Sequence, residues 1–332
     1  MTDILRRSFL RSALSLALSL TLGAAVLLMP QLAGAQNYPT QPLRLVVGFP
    51  AGGPNDIQGR MIAQWLSTRL GQPVNVDNRP GGSSNPATEE VVRAPADGYT
   101  LMLVGPANTI NPSLYDNLPF NFLRDIAPVG SVIREPLVMV VHPSVKANTV
   151  AEFIALAKAN PGKLKMASTG KGSSPHVTGL LFTSMSGVDV EVVQYAGGGP
   201  ALKGMIEGQA QMMFEPMSAS IEPVRSGKLR ALAVTTTTRS AALPDVPPLN
   251  DAVPGYEASA LTGIGVPAAT PPAIIERLNK EINAGLADAV MKQRFIDGGG
   301  ILLGGSPADF GKLLAAETEK WAKVIKSAGV KP

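Results

Sequence analysis

Short apolar runs alternate along the chain with stretches in which apolar residues recur every three or four positions. Leu43-Arg44-Leu45-Val46-Val47 ends at a Gly/Pro cluster, the pattern of a buried strand. After the loop 49–56, Ile57, Met61, Ile62, Trp65, Leu66 and Leu70 fall at helical spacing, and Gly71 ends the helix. Residues 74–77 read as a second strand, 87–94 as a helix and 99–104 as a third strand. A β-α-β-α-β series predicts a parallel sheet with helices on both faces.

The middle of the chain repeats the theme. The strand 137–141 stops at His142-Pro143, and Asn148 or Thr149 caps a helix that runs to Ala159. Asn160-Pro161-Gly162 breaks that helix. Strands then fall at 164–167, 190–193, 210–214 and 229–234, with helices at 175–186, 200–207 and 218–226 between them. The Thr-, Pro- and Ala-rich segment 235–263 reads as loop, and 263–266 as a return strand. Two helices follow. One starts at Pro271/Pro272 and shows Ile274, Ile275, Leu278, Ile282 and Leu286. The other has Ser306 as N-cap, Pro307 at the first helical position and Asp309 at the third. Its apolar positions are Phe310, Leu313, Leu314, Trp321, Val324 and Ile325. The pattern predicts an α/β protein of two lobes joined by crossing strands, with a cleft between them. Lobe 1 is 36–138 with 264–332, and lobe 2 is 139–263.

Residues 1–35 change the picture, because they read as an export signal. Arg6, Arg7 and Arg11 precede an apolar stretch, 14–29, and Ala33-Gly34-Ala35 is a small-x-small cleavage site before Gln36. That cleavage site and the polar, Pro-rich sequel favour a signal peptide over an uncleaved anchor. Arg6-Arg7-Ser8-Phe9-Leu10-Arg11 also fits the twin-arginine pattern, so both that route and the general secretory route stay open. Cleavage removes three arginines and Asp3, which halves the net charge of +4. The remaining excess has no Lys/Arg cluster, which argues against nucleic acid. The expected location is the periplasm.

Composition excludes whole chemistries. The 332 residues include no cysteine, so disulfides, thiolate metal sites, catalytic thiols and a lipidated N-terminus are ruled out. With only His142 and His176, so is a multi-histidine metal site. No cofactor is expected. The phosphate-binding G-x-x-x-x-G-K-[ST] fails because Gly172 follows Gly170-Lys171. Gly263-Ile264-Gly265-Val266-Pro267-Ala268 imitates a dinucleotide fingerprint, but Pro267 and Thr270-Pro271-Pro272 prevent a helix from starting there. No G-x-S-x-G elbow is present.

Candidate chemistry gathers in strand-to-helix loops. In Phe49-Pro50-Ala51-Gly52-Gly53-Pro54-Asn55-Asp56, glycines let a ligand approach the backbone, and the next helix presents free N–H groups. An anion fits there, and so does a plain turn capped by Asn55 or Asp56. Ser168-Thr169-Gly170-Lys171-Gly172-Ser173-Ser174-Pro175-His176 has the same setting with four hydroxyls and one lysine. His176 sits in a first helical turn, where the dipole disfavours protonation, and reads as a neutral hydrogen-bonding residue. Tyr195 opens a third such loop, 195–200, and Glu215 ends a strand, so both face the same cleft edge if the sheet is parallel. Asn85 and Asn108 are placed in comparable loops.

The chain resembles the Bug-type periplasmic solute-binding receptors of tripartite tricarboxylate transporters over 37–332. The marks include Pro42-Leu43-Arg44-Leu45-Val46-Val47, Phe49-Pro50-x-Gly52-Gly53-x-x-Asp56, Asn78-Arg79-Pro80-Gly81 and Ala96-Asp97-Gly98-Tyr99-Thr100-Leu101. Later marks are Gly227-Lys228-Leu229-Arg230-Ala231-Leu232-Ala233-Val234 and Leu243-Pro244-Asp245-Val246-Pro247. The resemblance implies a type II periplasmic binding fold that clamps a small carboxylate or aromatic acid between loops 49–56 and 168–176. It implies a monomer that serves integral-membrane permease subunits and has no catalytic role. This chain departs from the family pattern at Pro54-Asn55, where Ser-Thr is usual, and at Lys171, where Asn is usual. It also has Ala196 for the usual lysine and Glu215 for the usual aspartate. Lys171 is therefore a candidate partner for a second carboxylate. Two other readings share the residues. One is a sensor that presents its ligand to a membrane kinase. The other is an exported hydrolase using Ser173 or Ser174 with His176, although residues so close in a helix start suit a triad poorly.

Overall fold

The computed structural model describes residues 38–328, so the expected export signal lies outside the described residues. Residues 38–40 carry no helix or strand, and the fold below concerns residues from 41 onward. No helix among the described residues is long and apolar enough to cross a membrane.

The first βα series forms as its pattern predicts. Strand β1 (Leu43–Val47) is followed by α1 (Pro54–Leu70), β2 (Val74–Asn78), α2 (Asn85–Val92) and β3 (Thr100–Val104). β1 lies between β2 and β3 and is parallel to both. Gly71 closes α1 in the left-handed conformation that the sequence signals. After β3 come α3 (Pro106–Leu114), where Asn108 reads as a loop residue, and the single turn α4 (Phe122–Asp125), for which the sequence pattern predicts no element. Pro106, Asn108 and Pro112 hide the pattern of α3, whose residues 106–111 are nevertheless all buried.

The strand β4 (Ile126–Val141) makes the two-lobed plan possible. Its 16 residues begin eleven positions before the expected strand. From Ile126 to Pro136 it pairs antiparallel with β9 (Ser259–Pro267), and from Leu137 to Val141 with β7 (Met212–Pro216) and β8 (Arg230–Val234). One strand therefore feeds two sheets. The first has the order β2-β1-β3-β9-β4, extended by β10 (Ile301–Leu302) on β4. The second is β8-β4-β7-β5-β6, in which β5 (Lys165–Ser168) is parallel to β6 (Glu191–Gln194) and β7. The parallel arrangement thus holds within each βα series. The crossing strands β4 and β9 are antiparallel because one enters and the other returns. β9 starts four residues before the expected strand, and all of it is buried.

Helices α5 (Val150–Ala159), α6 (Ser174–Ser186), α7 (Gly198–Ile206) and α8 (Met217–Arg225) flank the second sheet. Thr149 caps α5 by accepting the Glu152 N–H at 3.1 Å. Helix α9 (Pro272–Ala287) is followed by α10 (Ala289–Asp297), which the sequence reading missed and which Asp288 caps.

The last helix, α11 (Pro307–Ala328), belongs to both cores. Ser306 and Asp309 close its start reciprocally, with Asp309 N–H on Ser306 Oγ at 3.1 Å and Ser306 N–H on Asp309 Oδ2 at 3.2 Å. Twenty-two residues reach about 33 Å at 1.5 Å per residue. Phe310 and Leu314 pack with Val46, Val104 and Ile126 of the first sheet. Trp321, Val324 and Ile325 pack with Leu137, Met139 and Phe153 around the second. Each such side chain contributes about 1.5–3 kcal/mol by burial. Gly263 makes the first contact possible, since a Cβ there would lie 2.3 Å from the Phe310 ring.

Candidate ligand-binding site

A cleft of about 200 Å³ opens between the two sheets. Residues 49–55, Pro106 and Ala107 line one side. Thr169, Ser173, Ser174, Pro175, residues 196–200, Glu215 and Pro216 line the other, and Glu135 of β4 and Ala260 of β9 complete it. The lining includes first-turn residues of α1, α3, α6 and α7. Helix N-termini carry unpaired N–H groups and about half a positive charge each. No lysine or arginine lines the cleft.

The two loops singled out in the sequence share a device. In α1 the N-cap is Gly53, and the third helical residue, Asp56, accepts the Gly52 N–H at 2.8 Å. In α6 the N-cap is Ser173, and the third helical residue, His176, accepts the Gly172 N–H on Nδ1 at 3.2 Å. Both side chains thus hold the residue before the cap, and neither lines the cleft. Burial alone would raise the Asp56 carboxyl. Hydrogen bonds from Arg60, the Gly52 N–H and Asn78 outweigh it and hold the carboxyl below the usual aspartate range. Burial, with Lys171 nearby, holds His176 down to about 4, so the ring is neutral at ordinary pH.

Of the first loop, Phe49, Gly52, Gly53, Pro54 and Asn55 line the cleft. The Phe49 carbonyl accepts from Asn78 Nδ2 at 3.0 Å, which anchors the loop to β2. Of the second loop, Thr169, Ser173 and Ser174 line the cleft, while Ser168, Gly170, Lys171 and Gly172 do not. Ser168 and Ser173 both donate to the Gly170 carbonyl, at 3.3 and 2.7 Å, and Ser173 Oγ also accepts the His176 N–H. Ser174 Oγ is buried without a partner. Lys171 is exposed, and its carbonyl accepts from Ser83 Oγ. An ammonium group keeps its hydration there, which accounts for its outward place.

The remaining candidates have other duties. Asn85 and Asn108 stand in the first turns of α2 and α3 rather than in loops. Asn85 Oδ1 accepts from Asn111 Nδ2 at 2.7 Å. Asn108 accepts the Gly105 N–H and donates to Thr88, both at 2.9 Å. Short polar side chains at a helix start find backbone and helix partners first. Tyr195 is half-buried against Gly204 of α7 and outside the cleft lining, although residues 196–200 of its loop line it. Glu215 lines the cleft and is 1% exposed. The sequence reading missed Glu135. Its signal was a charged residue, Arg134-Glu135-Pro136, interrupting an apolar run that proves to be one strand.

Both acids are perturbed. Burial raises Glu135, against hydrogen bonds from Ser218 and Gln58. Burial raises Glu215 well above the usual glutamate range, and the neighbouring Glu135 adds to this. Among the described residues no group of three or more His, Asp or Glu stands where it could hold a metal ion.

The model of the tripartite tricarboxylate transporter family receptors matches residues 59–330. The chain belongs to this receptor family. Among its relatives, protein BugT of Bordetella pertussis is 34% identical over 300 residues, covering 90% of this chain and 92% of BugT. The R. palustris protein Rpa4515, solved with adipate, superposes with a TM-score of 0.86 at 35% identity, covering 89% of this chain and 99% of that one. The periplasmic binding protein BugD superposes with a TM-score of 0.84 at 30% identity, covering 89% and 99%. The resemblance read from the sequence is thus established. The fold is the two-lobed α/β fold of this receptor family, whose members are solute-binding receptors rather than enzymes.

Proposed function

We propose that this chain is a periplasmic receptor that captures a small carboxylate and delivers it to the permease of a tripartite tricarboxylate-type transporter. The observation that carries this reading is the convergence of four helix starts on one cleft between the sheets. Their N–H groups and dipoles stabilise an anion without any cationic side chain. The adipate held by Rpa4515 supports a carboxylate as ligand. The backbone N–H groups of Gly53 and Asn55 donate from one lobe, and Thr169, Ser174 and the α7 start donate from the other. Asp56 and His176 act through the loops that they hold. The change of sheet at Pro136/Leu137 supports lobes divided near residue 138, with the return near β9. Residues 1–35 act as the export signal, and the mature protein works as a monomer.

A ligand gripped by both lobes binds only the folded state. At 100 times its Kd it therefore adds about 2.7 kcal/mol of stability, a shift of several degrees in a chain of this size. Thermal melts with mono-, di- and tricarboxylates, amino acids and aromatic acids test the reading. An upward shift with at least one carboxylate is expected, and its absence across the panel refutes a carboxylate receptor.

A further inference from the structure

Two serines stand in a backbone conformation that L residues avoid. Ser83 has φ of +53° and Ser84 of +69°, and they are the two non-glycine residues with positive φ among the described residues. They lie between β2 and α2, at the edge of the first sheet from which loop 49–56 also emerges. The Ser83 carbonyl accepts from Asn111 Nδ2 at 2.8 Å, and Ser83 Oγ accepts from the Tyr115 hydroxyl at 3.1 Å. With that lone pair engaged, the Ser83 proton points the other way. It goes to the Lys171 carbonyl, in the loop that follows β5 of the second sheet. Elsewhere on this seam, Gly197 and Gly198 face the rings of Pro50 and Pro54, which have no N–H to give.

We infer that Ser83 is a latch, a positioning residue that holds the two halves closed over the cleft and fixes loop 168–176 from the opposite side. The Lys171 carbonyl and the Gly172 N–H belong to one planar peptide group. Ser83 grips its oxygen from the first half, and His176 Nδ1 grips its N–H at 3.2 Å from the second. Gly172, at φ +71°, would otherwise leave that peptide free to turn. Fixing one peptide plane fixes the loop that carries Thr169, Ser173 and Ser174 into the cleft lining. Opening the cleft draws the loop after β2 away from the loop after β5 and must break the Ser83 bond. The left-handed turn at 83–84 is thus kept for what its hydroxyl reaches. A shut latch slows the escape of a bound anion. That consequence rests on the receptor reading, whereas the latch itself does not.

The chain has no cysteine, so an introduced pair carries spin labels without interference. Gln64→Cys in α1 and Lys203→Cys in α7 put one label on each half at exposed positions. The distance between the labels is measured in ligand-free protein. Ser83→Gly keeps the turn, which glycine adopts readily, and removes the hydroxyl. It is expected to lower the ratio of short to long distances by about five- to tenfold, the effect of one lost hydrogen bond. Ser84→Gly eases the neighbouring residue in the same way but leaves the latch, so its distances should match those of the unmodified protein. Identical distances in Ser83→Gly and the unmodified protein overturn the inference, and so does an equal shift in Ser84→Gly. A lower melting temperature for Ser83→Gly with unmoved distances shows a structural role alone and overturns it too. No ligand is present, so failure here leaves the carboxylate panel free to succeed, and failure of that panel leaves the latch standing.

Discussion

In loop 49–56 the side chain at the third helical position, Asp56, takes the N–H of Gly52. In loop 168–176 the side chain at the same position, His176, takes that of Gly172. The first acceptor is an anion also held by Arg60 at 2.9 Å, and the second is a buried neutral ring. Their surroundings differ too. Gly52 has open space around it, whereas Gly172 is pressed against Asn111 and Leu114 of α3. One wall of the cleft is thus fixed by charge and the other by packing. The chain path alone makes a helix start face the cleft, and the clamp behind it can be built from either chemistry.

The contrast breaks most severely at the glycines. Gly172→Ala combines φ of +71° with a Cβ 2.7 Å from Asn111 Oδ1 and 2.9 Å from Leu114. It should cost about 3 kcal/mol in chemical denaturation. Gly52→Ala, at φ +81° with nothing within 4 Å, should cost only about 1 kcal/mol. Equal losses would show that the second wall is not fixed by packing.

Acid separates the two clamps next. The folded-state pKa of His176 lies below its unfolded value, so its contribution is whole above about pH 6.5 and is lost as the pH falls to about 4. The loss is about 3 kcal/mol. Glu135 and Glu215, raised by burial, work in the opposite sense as the pH climbs. The measurement is therefore the difference between the unmodified protein and His176→Gln across pH 7 to 4. A difference that stays flat contradicts a neutral ring. Asp56 behaves differently, because its lowered pKa keeps its contribution intact until the pH falls below the ordinary aspartate range. Asp56→Ala should cost about 2 kcal/mol at pH 7, where a charge-assisted acceptor is lost. The penalty should shrink only in strong acid.

The smallest effect distinguishes two adjacent hydroxyls. Ser173 caps α6, so Ser173→Ala should lower stability by about 1 kcal/mol in thermal melts. Ser174 Oγ has no partner, so Ser174→Ala should leave the ligand-free melting temperature nearly unchanged and weaken carboxylate binding by about three- to tenfold. A reversed pattern would exchange their roles.

What was legible in the sequence was local. Apolar runs located β1 and the second half of β4, Gly71 the end of α1, and Thr149 and Ser306 the caps of α5 and α11. The two Gly-rich loops were legible because strand, glycine and helix start follow one another directly in the chain. Relations between distant segments were hidden. Nothing near Glu135 announces that β4 borders the cleft, or that Glu215 of β7 lines it as well. The charge of Lys171 does not say which side of its loop faces water. Asn85 and Asn108 carry side chains suited to ligands, yet Asn111, Gly105 and Thr88 occupy them. α3 escaped notice because its prolines and asparagines read as loop while tertiary burial made it helix.

Helix α11 couples the halves in time as well as in space. Its first turns complete one hydrophobic core and its last turns the other, so neither half is finished until α11 has been made. A nascent chain lacking it exposes two open cores at once, while the complete chain closes both together. The protein should accordingly melt in a single cooperative transition, and the unfinished polypeptide should stay receptive to chaperones until late in synthesis.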